Sequence, residues 1–161
     1  MKYLKKTTNY CLHYKRYPSV LEGYSDAGWN TLLDDSKSTT DYIFTMGGGA
    51  ITWISKKQHI ISQSTMEAEL ISLASASEKA SWLKDLLSEM TLGKKPNPSI
   101  LIHCDSIACI GRTRNKYYNG KLRSIRRKHS TLRSYLTNGT INMDYVRSNE
   151  NLADPLTKTL S

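Results

Sequence analysis

The feature that most constrains this chain is a change of hydrophobic period along it. Over residues 64–90, Met66, Leu70, Leu73, Ala74 and Ser77, then Trp82, Leu83, Leu86, Leu87 and Met90, recur at helical spacing. The flanking segments read as strands. Residues 20–26 alternate, the polar stretch 30–39 makes a loop, and residues 41–46 and 50–54 resume strand character on either side of Gly47, Gly48 and Gly49. Glycines supply the positive φ that tight hairpins need. No lysine-serine ending follows the triplet, so it reads as a turn and not as a phosphate loop. Three consecutive antiparallel strands are therefore expected before the helix.

Gly93, Pro96 and Pro98 end the helix, and Ile100-Leu-Ile-His-Cys104 then reads as a buried strand. A helix between two strands implies a parallel crossover. Residues 106–113 predict a short helix, 122–137 a basic amphipathic one closed by Asn138-Gly139, 140–146 a last strand, and 152–160 a terminal helix interrupted early by Pro155. The order is that of a mixed α/β domain over residues 19–161. The basic, Tyr-rich stretch 1–18 reads as a short strand or helix tied to something upstream. At 161 residues and 39% hydrophobic content, the chain has material for one packed core.

The charge is local. The formal net charge is +9, from 23 basic and 14 acidic residues. Between Asp105 and Asp144 there is no acidic residue, while Arg112, Arg114, Lys116, Lys121, Arg123, Arg126, Arg127, Lys128 and Arg133 all fall there. Without this window the chain is formally neutral. Such a block is either a solvated face or the footprint of a polyanion, and the interleaved Tyr117 and Tyr118 favour nucleic acid, since aromatic rings stack while cations neutralise phosphate. Cys11, Cys104 and Cys109 are odd in number and lack CxxC spacing, which supports neither a disulfide framework nor a structural zinc site and fits a reducing, intracellular setting. No apolar run has bilayer length and no secretory signal core is legible.

Four acids fall at expected element ends: Asp26 after the first strand, Glu69 in the first turns of the long helix, Asp105 after the fourth strand and Asp154 at the last helix. Converging carboxylates repel one another, and a hard divalent cation relieves them. Each also has an ordinary structural reading. Asp105 and Asp154 suit helix caps, and Glu69 suits a solvated face.

The segments Gly23-Tyr-Ser-Asp26-Ala-Gly-Trp29, Ser64-Thr-Met-Glu67-Ala-Glu69-Leu70, Ile102-His-Cys-Asp105-Ser106 and Asn149-Glu-Asn-Leu-Ala-Asp154-Pro-Leu-Thr-Lys158 together resemble the ribonuclease H domain of copia-type LTR retrotransposon polyproteins, of the kind abundant in plants. The resemblance covers nearly the whole chain. It implies a ribonuclease H-like fold with a five-stranded mixed sheet flanked by helices. Asp26, Glu69, Asp105 and Asp154 are the implied catalytic residues, holding two Mg²⁺ ions for which Mn²⁺ can substitute. The implied reaction is hydrolysis of the RNA strand of an RNA–DNA hybrid. Ser64, Thr65 and Ser106 would contact the nucleic acid, and Lys121, Arg123, Arg126, Arg127, Lys128 and Arg133 would hold the DNA strand. Residues 1–18 resemble the tail of an upstream reverse transcriptase region, which implies a cytoplasmic, virus-like-particle setting.

Glu67 competes with Glu69 for the third position. The two project about 200° apart on a helix, and the apolar stripe has one on each flank, so periodicity does not choose. The family pattern, an aliphatic residue directly after the catalytic glutamate, points to Glu69. The chain departs from the family where a histidine often precedes the fourth acid, having only Val146-Arg-Ser-Asn149, and at Gly28 and Ser124, where an acid and a histidine are often found. No expected ligand is lost. Two other readings are a degenerate module that binds without cutting, and a transposase or integrase, which would need three acids and not four.

Overall fold

The computed structural model describes residues 5–14, 20–29, 37–90, 98–120 and 122–158. Its five strands are β1 (Glu22–Asp26), β2 (Thr39–Met46), β3 (Gly49–Lys57), β4 (Ile100–Cys104) and β5 (Ile141–Tyr145), in the order β3-β2-β1-β4-β5. β1, β2 and β3 are antiparallel neighbours, while β4 runs parallel to both β1 and β5. The sheet is mixed, as the segment order predicts.

Local chemistry accounts for the hairpin between β2 and β3. Met46 pairs with Gly49, leaving Gly47 (φ 62°) and Gly48 (φ 81°) as a two-residue turn with both φ positive, the geometry whose twist suits a hairpin. Gly23 in β1 serves close packing instead, because a Cβ there would lie 2.6 Å from Cε1 of Phe44.

Helix α1 (Thr65–Glu89) begins at Ser64, whose Oγ accepts the Glu67 N–H at 3.2 Å. Its buried face includes Leu70, Leu73, Ala74, Ala76, Ala80 and Leu83, packed with Phe44, Ile102 and Ile141 of the sheet. α2 (Ile107–Arg114) is capped by Ser106, and α3 (Arg123–Thr137) buries Ile125 and Leu132 in the same core. Gly139, with φ 71°, turns the chain from α3 toward β5.

The expected terminal helix over 152–160 does not form within the described residues. Residues Ser148–Glu150 and Asp154–Thr157 are short 3₁₀ turns instead. Pro155 removes a backbone donor, and buried Asn151 diverts the chain by donating to the Ser25 carbonyl at 3.0 Å while accepting the Ala153 N–H at 3.1 Å. Within the described part of residues 1–18 there is no strand. Tyr14 there donates its hydroxyl to the Ala50 carbonyl at the hairpin, at 2.7 Å. The expected loop at 30–39 and helix terminator at 93–98 fall largely outside the described residues. Among the described residues no helix is long and apolar enough to cross a membrane.

Candidate active site

Parallel pairing builds the site. Ser25 of β1 lies opposite Cys104 of β4, so Asp26 and Asp105, next along each chain, emerge side by side at the same sheet edge. Helix α1 crosses this edge and is docked by Ser72. Ser72 Oγ lies 2.6 Å from the Asp26 carbonyl, 3.1 Å from the Asp41 carbonyl, 3.3 Å from the Asp41 N–H and 3.1 Å from Ser25 Oγ. Glu69 stands three residues earlier on the same helix face. It is therefore aimed at Asp26 and Asp105.

Glu67 is turned away. Its Oε1 accepts the Tyr118 hydroxyl at 2.9 Å, and its Oε2 accepts the Gln63 N–H at 2.9 Å. With the Glu67 N–H bonded to Ser64 Oγ, this is a reciprocal cap at the helix start. Of the two glutamates that periodicity left open, Glu69 lies in the carboxylate cluster and Glu67 is bonded at the helix start.

The cap readings of the two aspartates do not hold either. Ser106 Oγ, not Asp105, accepts the Cys109 N–H at the start of α2, at 3.2 Å. Asp154 lies inside its 3₁₀ turn, whose capping position is Ala153. Both carboxylates are left for other partners. Asp105 Oδ2 accepts the Ser148 hydroxyl at 2.7 Å, and Asp154 Oδ2 takes the Lys158 ammonium at 2.5 Å.

The electrostatics are those of crowded acids. Burial pushes Asp26 up to about 6, with the charges of Asp105, Asp154 and Asp41 adding and the Ala27 N–H working against them. Burial likewise pushes Glu69 up to about 10, reinforced by Cys104, Asp26 and Asp105. One carboxylate oxygen from each of Glu69 and Asp105 and the Cys104 sulfur all lie within 4.8 Å of one another. Glu69 Oε2 is buried with no hydrogen-bond partner among the described residues. A hard divalent cation would meet that need, and Asp26, Glu69 and Asp105 offer the oxygen donors that suit Mg²⁺ or Mn²⁺.

Asp41 and Asn151 escaped the sequence reading. Asp41 is fully buried directly across the sheet from Asp26, its Oδ2 accepting the Thr39 hydroxyl at 2.6 Å, and burial raises its carboxyl above the usual range. Strand alternation alone would assign it to either face. Asn151 ties the Asp154 segment to β1, a role for which its loop sequence carries no signal.

On the basic side, Arg126 and Arg133 line a groove of about 480 Å³ together with Lys116, Tyr117 and Tyr118. Arg127 borders a neighbouring hollow with Thr131 and Ser134. Arg123 is exposed in the first turn of α3. Lys128 differs from its neighbours, since its ammonium pairs with Glu78 of α1 at 2.8 Å. Lys121 lies outside the described residues. Ser64 and Ser106 cap helices, while Thr65 is exposed beside the first of them.

No family model matches the chain. Over 99% of its length it is 34% identical to the retrovirus-related Pol polyprotein from transposon TNT 1-94 of Nicotiana tabacum, of which it spans 12%. It is 32% identical to the Pol polyprotein from transposon RE1 of Arabidopsis thaliana, of which it spans 11%. Among solved structures, the compost-derived LC11-RNase H1 in complex with an RNA/DNA hybrid matches with a TM-score of 0.59, at 18% identity over 84% of this chain and 92% of that one. The foamy viral protease-reverse transcriptase in complex with an RNA/DNA hybrid matches with a TM-score of 0.60, at 16% identity over 90% of this chain and 21% of that one. With its β3-β2-β1-β4-β5 sheet the chain has a ribonuclease H-like fold, and from end to end it is homologous to a segment, about an eighth of the length, of retrovirus-related Pol polyproteins from plant transposons, consistent with the ribonuclease H domain of a copia-type polyprotein.

Proposed function

We propose that this domain hydrolyses the RNA strand of an RNA–DNA hybrid during reverse transcription of its element, leaving a 5′-phosphate and a 3′-hydroxyl. The observation that carries the reading is the convergence of Asp26, Glu69 and Asp105, with Asp154 close enough for its charge to act on Asp26. When bound, two Mg²⁺ ions supply an activated water and stabilise the departing 3′-oxygen. Asp26, Glu69, Asp105 and Asp154 hold them.

The chain's other residues prepare this arrangement. Ser148 orients the Asp105 carboxylate and the Ala27 N–H orients that of Asp26. Lys158 pairs with Asp154 in the metal-free protein and would have to yield that carboxylate to a bound ion. Thr65, with Ser64 and Ser106, meets the RNA strand and its 2′-hydroxyls across the minor groove. Arg123, Arg126, Arg127 and Arg133, with Lys121, hold phosphates of the DNA strand and set its register. Residues 1–18 join the domain to its reverse transcriptase, inside the particle where the hybrid is made. The hybrid-bound state of LC11-RNase H1 and of the foamy viral enzyme supports the substrate class.

A second reading, binding without cutting, draws support from the Asp154–Lys158 pair, because an ammonium on the fourth acid competes with a cation there. Incubating the protein with end-labelled RNA–DNA hybrid, duplex DNA and duplex RNA in Mg²⁺ separates the two. Cleavage confined to the RNA of the hybrid supports the proposal, and binding of the hybrid without any cleavage supports the alternative.

A further inference from the structure

We propose that Cys104 makes the carboxylate cluster a binding site for a thiophilic divalent ion, Zn²⁺ above all, which occupies the site in competition with Mg²⁺ and blocks it. The binding site stands on its own geometry, whereas its effect on cleavage rests on the function proposed above.

Cys104 closes β4 with its side chain fully buried beneath the acids. Its sulfur and one oxygen from each of Glu69 and Asp105 lie within 4.8 Å of one another. That sulfur accepts a long hydrogen bond from the Ser106 N–H, at 3.4 Å, and has the Cys109 thiol as a hydrogen-bonding neighbour. Glu69 is 9% exposed and its Oε2 has no partner among the described residues. An idle carboxylate oxygen thus faces a buried sulfur bound by a long amide contact and another thiol, with a third donor, Asp105, half-buried at the mouth where an ion would enter.

The donor set decides which ion gains. Mg²⁺ takes oxygen ligands in octahedral geometry and gains little from sulfur, whereas Zn²⁺ takes thiolate and carboxylate together in a tetrahedron. With Zn–S near 2.3 Å and Zn–O near 2.1 Å, tetrahedral donors sit roughly 3.5 Å apart. Side-chain rotation of about 1 Å brings the three donors to that spacing from the upper limit observed. Water or Asp26 completes the four, and the thiol proton leaves to solvent as the sulfur binds. Two carboxylates of the catalytic set are then held in a four-coordinate arrangement around the wrong ion.

A second thiol must be removed before testing this. Cys11 Sγ and His13 Nε2 lie 3.0 Å apart on the exposed N-terminal segment and would take the same ions. The experiment is a Co²⁺ titration of the full chain carrying Cys11→Ser, followed by absorption spectroscopy and then by Zn²⁺ displacement. A sulfur-to-cobalt charge-transfer band that saturates at one equivalent and is bleached by Zn²⁺ is expected. The band should vanish with Cys104→Ser or, should that variant not fold, Cys104→Ala, and persist with Cys109→Ser, which alters the neighbouring buried thiol. Inhibition of Mg²⁺-supported cleavage by Zn²⁺ should weaken in the Cys104 variant, by more than the roughly tenfold that loss of an outer-shell partner costs. Absence of the band in Cys11→Ser, or its survival in both Cys104 variants, overturns the proposal. A band without any Mg²⁺-dependent cleavage leaves the Zn²⁺ site standing and removes the nuclease reading, while cleavage without a band does the reverse.

Discussion

Asn151 donates its side-chain N–H to the carbonyl oxygen of Ser25 at 3.0 Å, joining residues 126 positions apart in sequence. This bond fastens the segment that carries Asp154 to the strand that carries Asp26. Because Asn151 is buried, its loss leaves the Ser25 carbonyl without that partner. Asn151→Ala should cost about 1–3 kcal/mol of stability and lower the cleavage rate at saturating hybrid, with hybrid affinity little changed. Denaturant melts and single-turnover kinetics check both parts. An equal loss in affinity and rate would place Asn151 in substrate binding instead.

Glu67 and Glu69 provide an internal contrast on one helix. Glu69→Gln should reduce cleavage by about a thousandfold, since ion-borne charge stabilisation is worth several kcal/mol. It should also raise the melting temperature of the metal-free protein near neutral pH, because folding no longer has to protonate a buried carboxyl that is ionised in the unfolded chain. Glu67→Gln keeps only one of its two accepting oxygens, so it should cost about 1 kcal/mol of stability and retain most activity. Rates and melts of the two variants side by side make the comparison.

The pH dependence of stability follows from the raised carboxyls. Asp26 rises from 3.8 to about 6 and Glu69 from 4.5 to about 10, so both bind protons more tightly folded than unfolded. Their stabilising contribution is fully present below the ordinary carboxylate range and is lost as pH rises through the folded values. Metal-free protein should therefore lose stability between about pH 4 and 6 through Asp26 and, through Glu69, from about pH 4.5 up to about 10. Mg²⁺ should oppose the decline by favouring the ionised carboxylates. Thermal melts across this range, with chelator and with Mg²⁺, test the sign. Asp26→Asn should flatten the lower part of the curve.

The basic face divides into two kinds of residue. Arg126 and Arg127 border open hollows, whereas Lys128 is paired with Glu78. Replacing both arginines by alanine should reduce the slope of log affinity against log salt by about 1.8, at about 0.9 for each phosphate contact in duplex DNA, with the hybrid taken as similar. Lys128→Ala should change the slope less than either arginine. Hybrid binding measured over a salt series distinguishes them, and an unchanged slope in the double variant would mark the face as merely solvated.

Much of this was legible in the sequence because the site is built at element ends. The strands carrying Asp26 and preceding Asp105 announce themselves by pattern, and parallel pairing then forces the two acids together. What stayed hidden depended on single contacts between distant residues. The choice of Glu69 over Glu67 turns on Ser72, whose hydroxyl docks α1 onto β1 and β2, and in sequence Ser72 is only another small polar residue in a helix. Asp41 lies in a strand of ordinary appearance, and its neighbourhood with Asp26 exists only once the register is set. Lys128 reads as one charge in a block until the fold brings Glu78, 50 positions away, against it. Periodicity predicts a terminal helix where the described residues form a 3₁₀ turn, because it does not register the pull of buried Asn151 on the backbone.

The most direct measurement is cleavage of an RNA–DNA hybrid labelled in each strand, in Mg²⁺, by the wild-type chain and by Asp26→Asn and Asp105→Asn. Cleavage of the RNA strand alone is expected, with 5′-phosphate products, abolished in both variants while their folds and hybrid binding persist. Near wild-type cleavage by either variant, or none by the wild-type chain while it binds the hybrid, would contradict the assignment of these carboxylates as a catalytic centre.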